Sequence, residues 1–239
     1  MKKHFLNIFI ILMIFISTIF AQQKQTSVEA ISSINWITRE FKTNIKLDTK
    51  KANIQMPSGK KSASTYISAK MPPLIQPPLL SLFEDSENAL ANCVIQEELT
   101  IDKIHMIIMS GYKTPDVFSK DMKYLDTTNT INITQISRQL VHHNYPYNPD
   151  KPIETVPSRK FSGIVIDARG AYPVHGEYVK SHVYACMFPR IWDDQMNIIY
   201  EKNVVEPKIA AEKGLVGFHY SDDISFYEDR VGADPLDIR

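Results

Sequence analysis

Two pairs of adjacent prolines, Pro72-Pro73 and Pro77-Pro78, place the tightest limit on how this chain can fold. Proline has no backbone N–H and a fixed φ, so it interrupts the hydrogen bonds of a helix interior and of a central strand. A turn-forming stretch, Met56 to Lys61, comes shortly before them. The sequence therefore predicts that residues 55–80 form an extended, partly exposed linker.

Before this segment, the sequence predicts a half-buried strand. One set of residues alternates with a polar set at every second position: Phe41, Thr43, Ile45 and Leu47 against Lys42, Asn44 and Lys46. A period of two places each set on its own face of a strand. A similar alternation runs from Ile31 to Ile37, and Ile34 and Trp36 lead into the strand.

After the linker, the pattern predicts two helices. Ser81 and Glu84 have the spacing of a capping box, and Gly111 is a suitable stop. Between them one helical stripe contains Leu82, Leu90, Cys93, Val94, Ile101, Ile104 and Ile108. A shorter helix is expected from Pro115, capped by Thr114. Strand-forming residues follow at Ile131 and Ile133.

The C-terminal part has a strand pattern. Strands are expected at 161–169, at His182 to Met187 and at Gly214 to Tyr220, with a hairpin over 190–200. The sequence thus indicates an α+β fold, with a long and a short helix on a mainly antiparallel sheet and a small C-terminal β subdomain. The proline-rich loop 145–152 suggests a boundary between domains at 22–155 and 156–239.

The N-terminus predicts export. Lys2 and Lys3 precede an apolar run from Phe5 to Phe20, and Ala21 ends it, which is the pattern of a signal peptide over residues 1–21. An uncleaved membrane anchor is the alternative, although a spanning helix needs about 20 apolar residues. The expected location is therefore periplasmic or otherwise exported. Contact with a membrane is expected only through a partner or through an uncleaved signal segment.

Composition excludes several classes of protein. Without Lys2 and Lys3 the chain has 25 basic and 27 acidic residues, which gives no electrostatic footprint for nucleic acid. Its 44% of apolar residues can form a real core. Cys93 and Cys186 could pair in an oxidising compartment or stay as two buried thiols, and the sequence leaves both alternatives open.

Four ordered motifs in residues 161–239 resemble a known bacterial family. They are the stretch Phe161 to Gly170, the stretch Phe188 to Asp194 followed by Ile198-Ile199-Tyr200, the stretch Gly214 to Phe218, and the closing stretch Asp229 to Ile238. The resemblance is to the envelope family that includes LPP-type lipoproteins and the flagellar assembly protein P group. This chain has no lipidation cysteine and no turn glycine in the hairpin, where Asn can take the left-handed conformation.

The resemblance implies a non-enzymatic α+β envelope module. Its motif residues are expected to be structural: Asp167, Arg169, Gly170, Pro189, Arg190, Tyr200, Arg230, Gly232 and Pro235. Asp167 and Arg169 share one face of a strand, which predicts an ion pair that ties this strand to the chain end through Asp229 and Arg230.

The sequence contains no G-x-S-x-G elbow, phosphate-binding loop or EF-hand spacing. The histidines do not have the spacing of a zinc site. We therefore expect no catalytic site, no cofactor and no metal.

The expected function is structural or assembly work in the envelope, linked to the flagellum by the resemblance alone. The expected partners are envelope or flagellar proteins or a second copy, bound through segments 71–79 and 145–152. A periplasmic small-ligand-binding protein is the alternative.

Overall fold

The computed structural model describes residues 26–143, 160–174 and 176–238, and within them the chain is a mixed α+β protein. Its main sheet is antiparallel, with strands β1 Val28–Asn35, β2 Glu40–Asp48, β3 Tyr112–Lys113, β4 Val117–Phe118 and β5 Tyr124–Asn132. The order is β1-β2-β5-β3, and β4 also pairs with β5. The expected α+β class with a mainly antiparallel sheet is confirmed.

The predicted strand at 41–47 is the centre of this sheet. β2 buries Phe41, Thr43, Ile45 and Leu47 and exposes the lysines and Asn44 between them. β5 alternates in the same way and buries Leu125 and Ile131. One face of the sheet is therefore apolar and covered by helices, and the other is polar.

The predicted linker at 55–80 is wrong, because most of it is a helix, α1 Lys60–Leu80, that contains all four prolines. Each internal proline costs a helix about 3 kcal/mol. The helix nevertheless buries a side chain at every fourth position: Ala63, Ile67, Met71, Ile75 and Leu79. Since this row continues on both sides of each proline pair, packing on the sheet outweighs the lost hydrogen bonds.

The predicted long helix after residue 81 is also wrong. Ser81 is the C-cap of α1, and two short helices follow, α2 Leu90–Ile95 and α3 Ile101–Ser110. Leu82, Leu90 and Ile104 are buried as expected, but they come from a turn and from two separate helices. Gly111 ends α3 as predicted.

The helix expected from Pro115 does not form, because the residues on both sides of it pair with β5 as the short strands β3 and β4. Ile131 lies in β5 as expected, whereas Ile133 is the N-cap of an unexpected helix, α4 Thr134–Leu140.

The C-terminal part contains small pieces of structure. Its elements are β6 Ile164–Ile166, β7 Ala171–Pro173, β8 Lys180–His182, β9 Ile191–Trp192, β10 Ile198–Tyr200, α5 Pro207–Lys213, α6 Glu228–Val231 and β11 Leu236–Ile238. β7 pairs with β8, β9 with β10, and β6 runs parallel to β11.

Four expectations for this part need correction. The strand expected at 161–169 is only the short β6, so Asp167 and Arg169 lie after it and not on it. The hairpin over 190–200 forms, but Met196 rather than an asparagine takes the left-handed conformation, with φ 64°. The strand expected at His182 to Met187 does not form, because β8 ends at His182. The strand expected at Gly214 to Tyr220 does not form either. Gly214 directly follows α5 and has a positive φ of 67°.

The C-terminal part is joined to the same core as the sheet. α4 packs against α5, and Met187, Phe188, Val205, Ala210 and Leu215 belong to the main cluster of buried residues. Cys93 and Cys186 are both buried and both free, which selects the two-thiol alternative. None of the helices in the described ranges is long and apolar enough to cross a membrane. The signal segment 1–21 and the loop 145–152 lie outside the described residues.

Candidate functional site

A buried acidic turn connects the two parts of the molecule. Glu84 and Asp85 follow Leu82 in the turns between α1 and α2, and only 8% and 4% of their surfaces are exposed. The C-terminal chain docks on this turn through its backbone. Met187 donates to the Phe83 carbonyl at 3.0 Å and Phe188 donates to the Glu84 carbonyl at 2.7 Å.

Lys202 neutralises the first acidic side chain. Its ammonium group lies 3.3 Å from a Glu84 oxygen and 3.5 Å from a Glu98 oxygen, and 5.8 Å from the centre of the Phe188 ring. Burial disfavours the charged amine, but the two carboxylates outweigh burial and raise the pKa of Lys202. The two carboxylates therefore favour the charged form of Lys202.

Cys93 is held as a thiol at the same place. Its S–H donates to the other oxygen of Glu84, with 2.9 Å between the two atoms. Burial, followed by the bond to Glu84, raises the pKa of Cys93 to about 12. A nucleophilic cysteine must be a thiolate, so this cysteine is not activated as a nucleophile at neutral pH.

Glu84, Cys93 and Glu98 resemble a set of metal ligands, with ligand atoms within 4.8 Å of one another. One observation opposes that use. Lys202 already supplies the positive charge beside both carboxylates. The arrangement fits a lysine clamp better than a metal centre.

Arg190 binds the second acidic side chain, Asp85, in an ion pair. Asp85 also accepts bonds of 2.8 Å from the backbone N–H groups of Glu87 and Asn88. Burial opposes the charged carboxylate. The N–H donors, the Asn88 amide and Arg190 outweigh it, and they lower the pKa of Asp85. We call Glu84, Asp85, Cys93, Glu98, Arg190 and Lys202 the acidic-turn cluster.

The cavities in the described regions are small or open. A space of about 40 Å³ lies within the acidic-turn cluster, beside Phe188 and Glu201. A more open groove of about 390 Å³ lies between α3 and α4 and is lined by residues such as Lys103, Met106 and Arg138. The cluster can hold two chain segments together by charge.

The motif pair Asp167 and Arg169 lies elsewhere. Arg169 contacts Asp167 through two bonds, of 2.8 and 2.6 Å, and it reaches Asp222 at 2.7 Å. Asp222 therefore stands where Asp229 and Arg230 were expected. The chain end is tied by backbone bonds instead, because β6 pairs with β11 and Asp167 donates to Ile238 at 2.8 Å.

The remaining motif residues support turns. Arg230 donates to the carbonyls of Lys213, Gly214 and Leu215, and Tyr200 donates to the Leu215 carbonyl at 2.7 Å. Together these hydrogen bonds hold the segment that follows α5 in place.

Two motif glycines have positive φ, 109° at Gly170 and 76° at Gly232. A Cβ on Gly232 would lie 2.5 Å from the Cβ of Ser162, so this position also needs a small residue. Pro189 and Pro235 directly precede Arg190 and β11. Of the nine motif residues, the structure brings only Arg190 into the acidic-turn cluster.

Sequence reasoning missed most of this cluster. Lys202 lies 118 positions from Glu84 and has no motif of its own. The available signal was the place of Glu84 and Asp85 directly after the apolar residues Leu82 and Phe83.

Two family models match the chain in sequence. Residues 27–139 match the N-terminal domain of Treponema pallidum Tp0624, and residues 163–239 match the second domain of the same protein. The two domains occur in order and together span well over half of the chain. The chain belongs to the Tp0624 family. No curated protein matches it. The Tp0624 match does not bear on the resemblance to the LPP-type and flagellar group, which stays a prediction.

In this Tp0624-type chain, the acidic-turn cluster lies between the two matched segments. Glu84, Asp85, Cys93 and Glu98 belong to the first segment, and Arg190 and Lys202 belong to the second. The cluster therefore joins one domain to the next.

Proposed function

We propose that the chain is an exported, non-enzymatic structural or assembly protein of the cell envelope that acts through contacts with other proteins. The observation that carries this proposal is a set of exposed apolar side chains at the two ends of β8 in the second domain, which we call the β8 apolar set. They are Tyr178, Val179, Val183 and Tyr184, and each exposes more than half of its surface, up to 111% for Tyr178. Large exposed apolar groups on one element are the kind of surface that protein partners cover.

The chemistry of the acidic-turn cluster supports a role without catalysis. Its cysteine is a thiol and its lysine is charged, so neither provides a nucleophile. An assembly protein needs a partner, and the β8 apolar set offers the surface for one. The flagellar motor is the partner class that the sequence resemblance favours.

A matched pair of variants tests the contact. Tyr178→Ser with Tyr184→Ser should abolish recovery of an envelope protein by crosslinking in the native cell. Ile95→Ser is the control, because Ile95 is 79% exposed but lies on α2 of the first domain. Equal recovery from both variants would refute the β8 apolar set as the contact. Recovery of flagellar motor proteins would support the flagellar form of the proposal, and recovery of other envelope proteins the general form.

Export has its own test. The full chain should appear in the periplasmic or extracellular fraction, and deletion of residues 2–20 should leave it in the cytoplasm. A full chain that stays in the cytoplasm would overturn the envelope proposal. The ligand-binding alternative predicts a bound small molecule in native mass spectrometry of the purified chain.

A further inference from the structure

β1 leaves one long edge of the main sheet unpaired. It pairs with β2 along its whole length from Val28 to Asn35, and among the residues described here no strand pairs with its other edge. Natural edge strands are usually protected by proline, lysine, a bulge or a cover. β1 has no proline, no lysine and a single charge at Glu29.

The register shows which backbone groups point away from the sheet. Asp48 donates to the Ser27 carbonyl at 2.8 Å, so Ser27 and Asp48 form a hydrogen-bonded pair one step before Val28. Such pairs alternate along an antiparallel ladder. The odd-numbered residues of β1 therefore bond to β2, and the outward N–H and C=O groups belong to Val28, Ala30, Ser32 and Ile34.

At the centre of β1 an apolar side chain lies on the solvent-exposed face of the sheet. Ile31 is 73% exposed and lies on the polar face of the sheet, opposite Asn44. Its neighbours on that face of β1 are Glu29 and Ser33, which are also exposed. Nothing in the described part of the chain covers Ile31, so a partner that adds a strand would cover it.

We propose that the chain self-associates through β1, which pairs antiparallel with β1 of a second copy about a two-fold axis at Ile31. In this register Ala30 faces Ser32 and Val28 faces Ile34, so all of the outward backbone groups find partners. The two Ile31 side chains meet in the centre. The inference stands on the sheet edge alone and does not rest on the proposed envelope role.

The charges of the strand favour this register. Glu29 faces Ser33 of the second copy, so the two glutamates do not meet. A second copy fits this edge because the strand satisfies its own outward hydrogen bonds, keeps its like charges apart and pairs its apolar centre with itself. The pairing would join two five-stranded sheets into one continuous sheet.

Cysteine crosslinking tests the axis. Ile31 opposes itself as a non-hydrogen-bonded pair, for which the Cα atoms lie about 4.5 Å apart. A disulfide spans Cα separations of about 4.4–6.8 Å. Ile31→Cys should therefore form a covalent dimer of the full chain under mild oxidation. Glu29→Cys is the control, because it faces Ser33 and should not crosslink. The native cysteines are buried and should stay reduced.

Charge variants test the register by sedimentation equilibrium of the purified full chain. Ser33→Glu places two carboxylates opposite each other on both sides of the axis and should raise the dimer Kd about 3–10-fold. Ser33→Lys should leave the Kd unchanged or lower it, and Glu29→Lys with Ser33→Glu should restore it. Ile31→Lys should give a monomer. A monomeric unmodified chain, a dimer that survives Ile31→Lys, or equal crosslinking of both cysteine variants would overturn the proposal.

Discussion

The first domain has a continuous buried core of its own, whereas the second domain is held by a few contacts with the first. In the first domain Ile45, Ile75 and Leu125 expose 1% of their surfaces or less. In the second domain Ile164 and Ile166 lie in a strand but each is 46% exposed. Burial supplies most of the stability of a fold, so the two domains should differ in their resistance to unfolding.

The stability of the second domain depends on its contacts with the first domain. Phe188, Val205 and Leu215 are buried in the shared core, and Arg190 and Lys202 bind the acidic turn. Its own sheets have two strands each, which rarely suffices for independent stability. We infer that the second domain opens before the first, and the following variants test this order.

The largest effect is expected from Ile75→Ala in α1. The side chain is fully buried between α1 and the sheet, so its loss should lower the free energy of unfolding by about 2–5 kcal/mol. Ile164→Ala, in the second domain, should change it by about 0.5 kcal/mol or less. Chemical denaturation followed by circular dichroism measures both. Equal losses would contradict the inferred difference between the domains.

A medium effect is expected from Lys202→Met, which leaves Glu84 buried without its cation. The loss should be about 2 kcal/mol, and it should fall on the attachment of the second domain. Cys186 reports this attachment, because burial raises its pKa to about 11 and suppresses its reaction. Alkylation of Cys186 should become faster in the variant, as read by mass spectrometry.

Lys208→Met is the matched control, because Lys208 is exposed on α5, six positions after Lys202 in the sequence. It should leave the alkylation rate of Cys186 unchanged. If both variants accelerate alkylation equally, the effect comes from lost surface charge and the clamp at Glu84 has no special role.

The sequence predicted those elements whose burial is visible in a local pattern. β2 was found because a half-buried strand alternates at every second residue, as Phe41 to Leu47 do. α1 was missed because the proline rule is local, whereas the burial of Ile67 and Ile75 on the sheet is not. The buried row at every fourth residue was present in the sequence and was the better guide.

The acidic-turn cluster could not be found in the same way. Arg190 lies 105 positions from Asp85, and their pairing depends on the path of the whole chain between them. The motif that contains Arg190 indicated that the residue is structural, but no spacing indicated its partner. Long-range ion pairs leave no periodic trace in a single sequence.

A smaller effect is expected from the pH dependence of the Asp85 contact. The pKa of Asp85 is lowered from its ordinary value of 3.8 in the folded protein, so the stability it adds is present above that value. It is lost as the pH falls through the lowered pKa. Asp85→Asn should therefore cost about 1 kcal/mol at neutral pH, and the cost should vanish in stronger acid. Denaturation of both proteins across this pH range measures the difference, and a cost that is constant with pH would contradict it.

The smallest effect is expected from Arg169→Ala, and it separates two kinds of motif arginine in the second domain. Arg169 has a side chain that is 62% exposed, and exposed ion pairs contribute about 0–1 kcal/mol. Arg230 instead donates to three backbone carbonyls after α5, so Arg230→Ala should cost more, about 2 kcal/mol. Hydrogen exchange of residues 207–217 should accelerate only in Arg230→Ala. If Arg169→Ala is the more harmful variant, the second domain is held by its surface ion pairs, and the attachment to the shared core is not its main support.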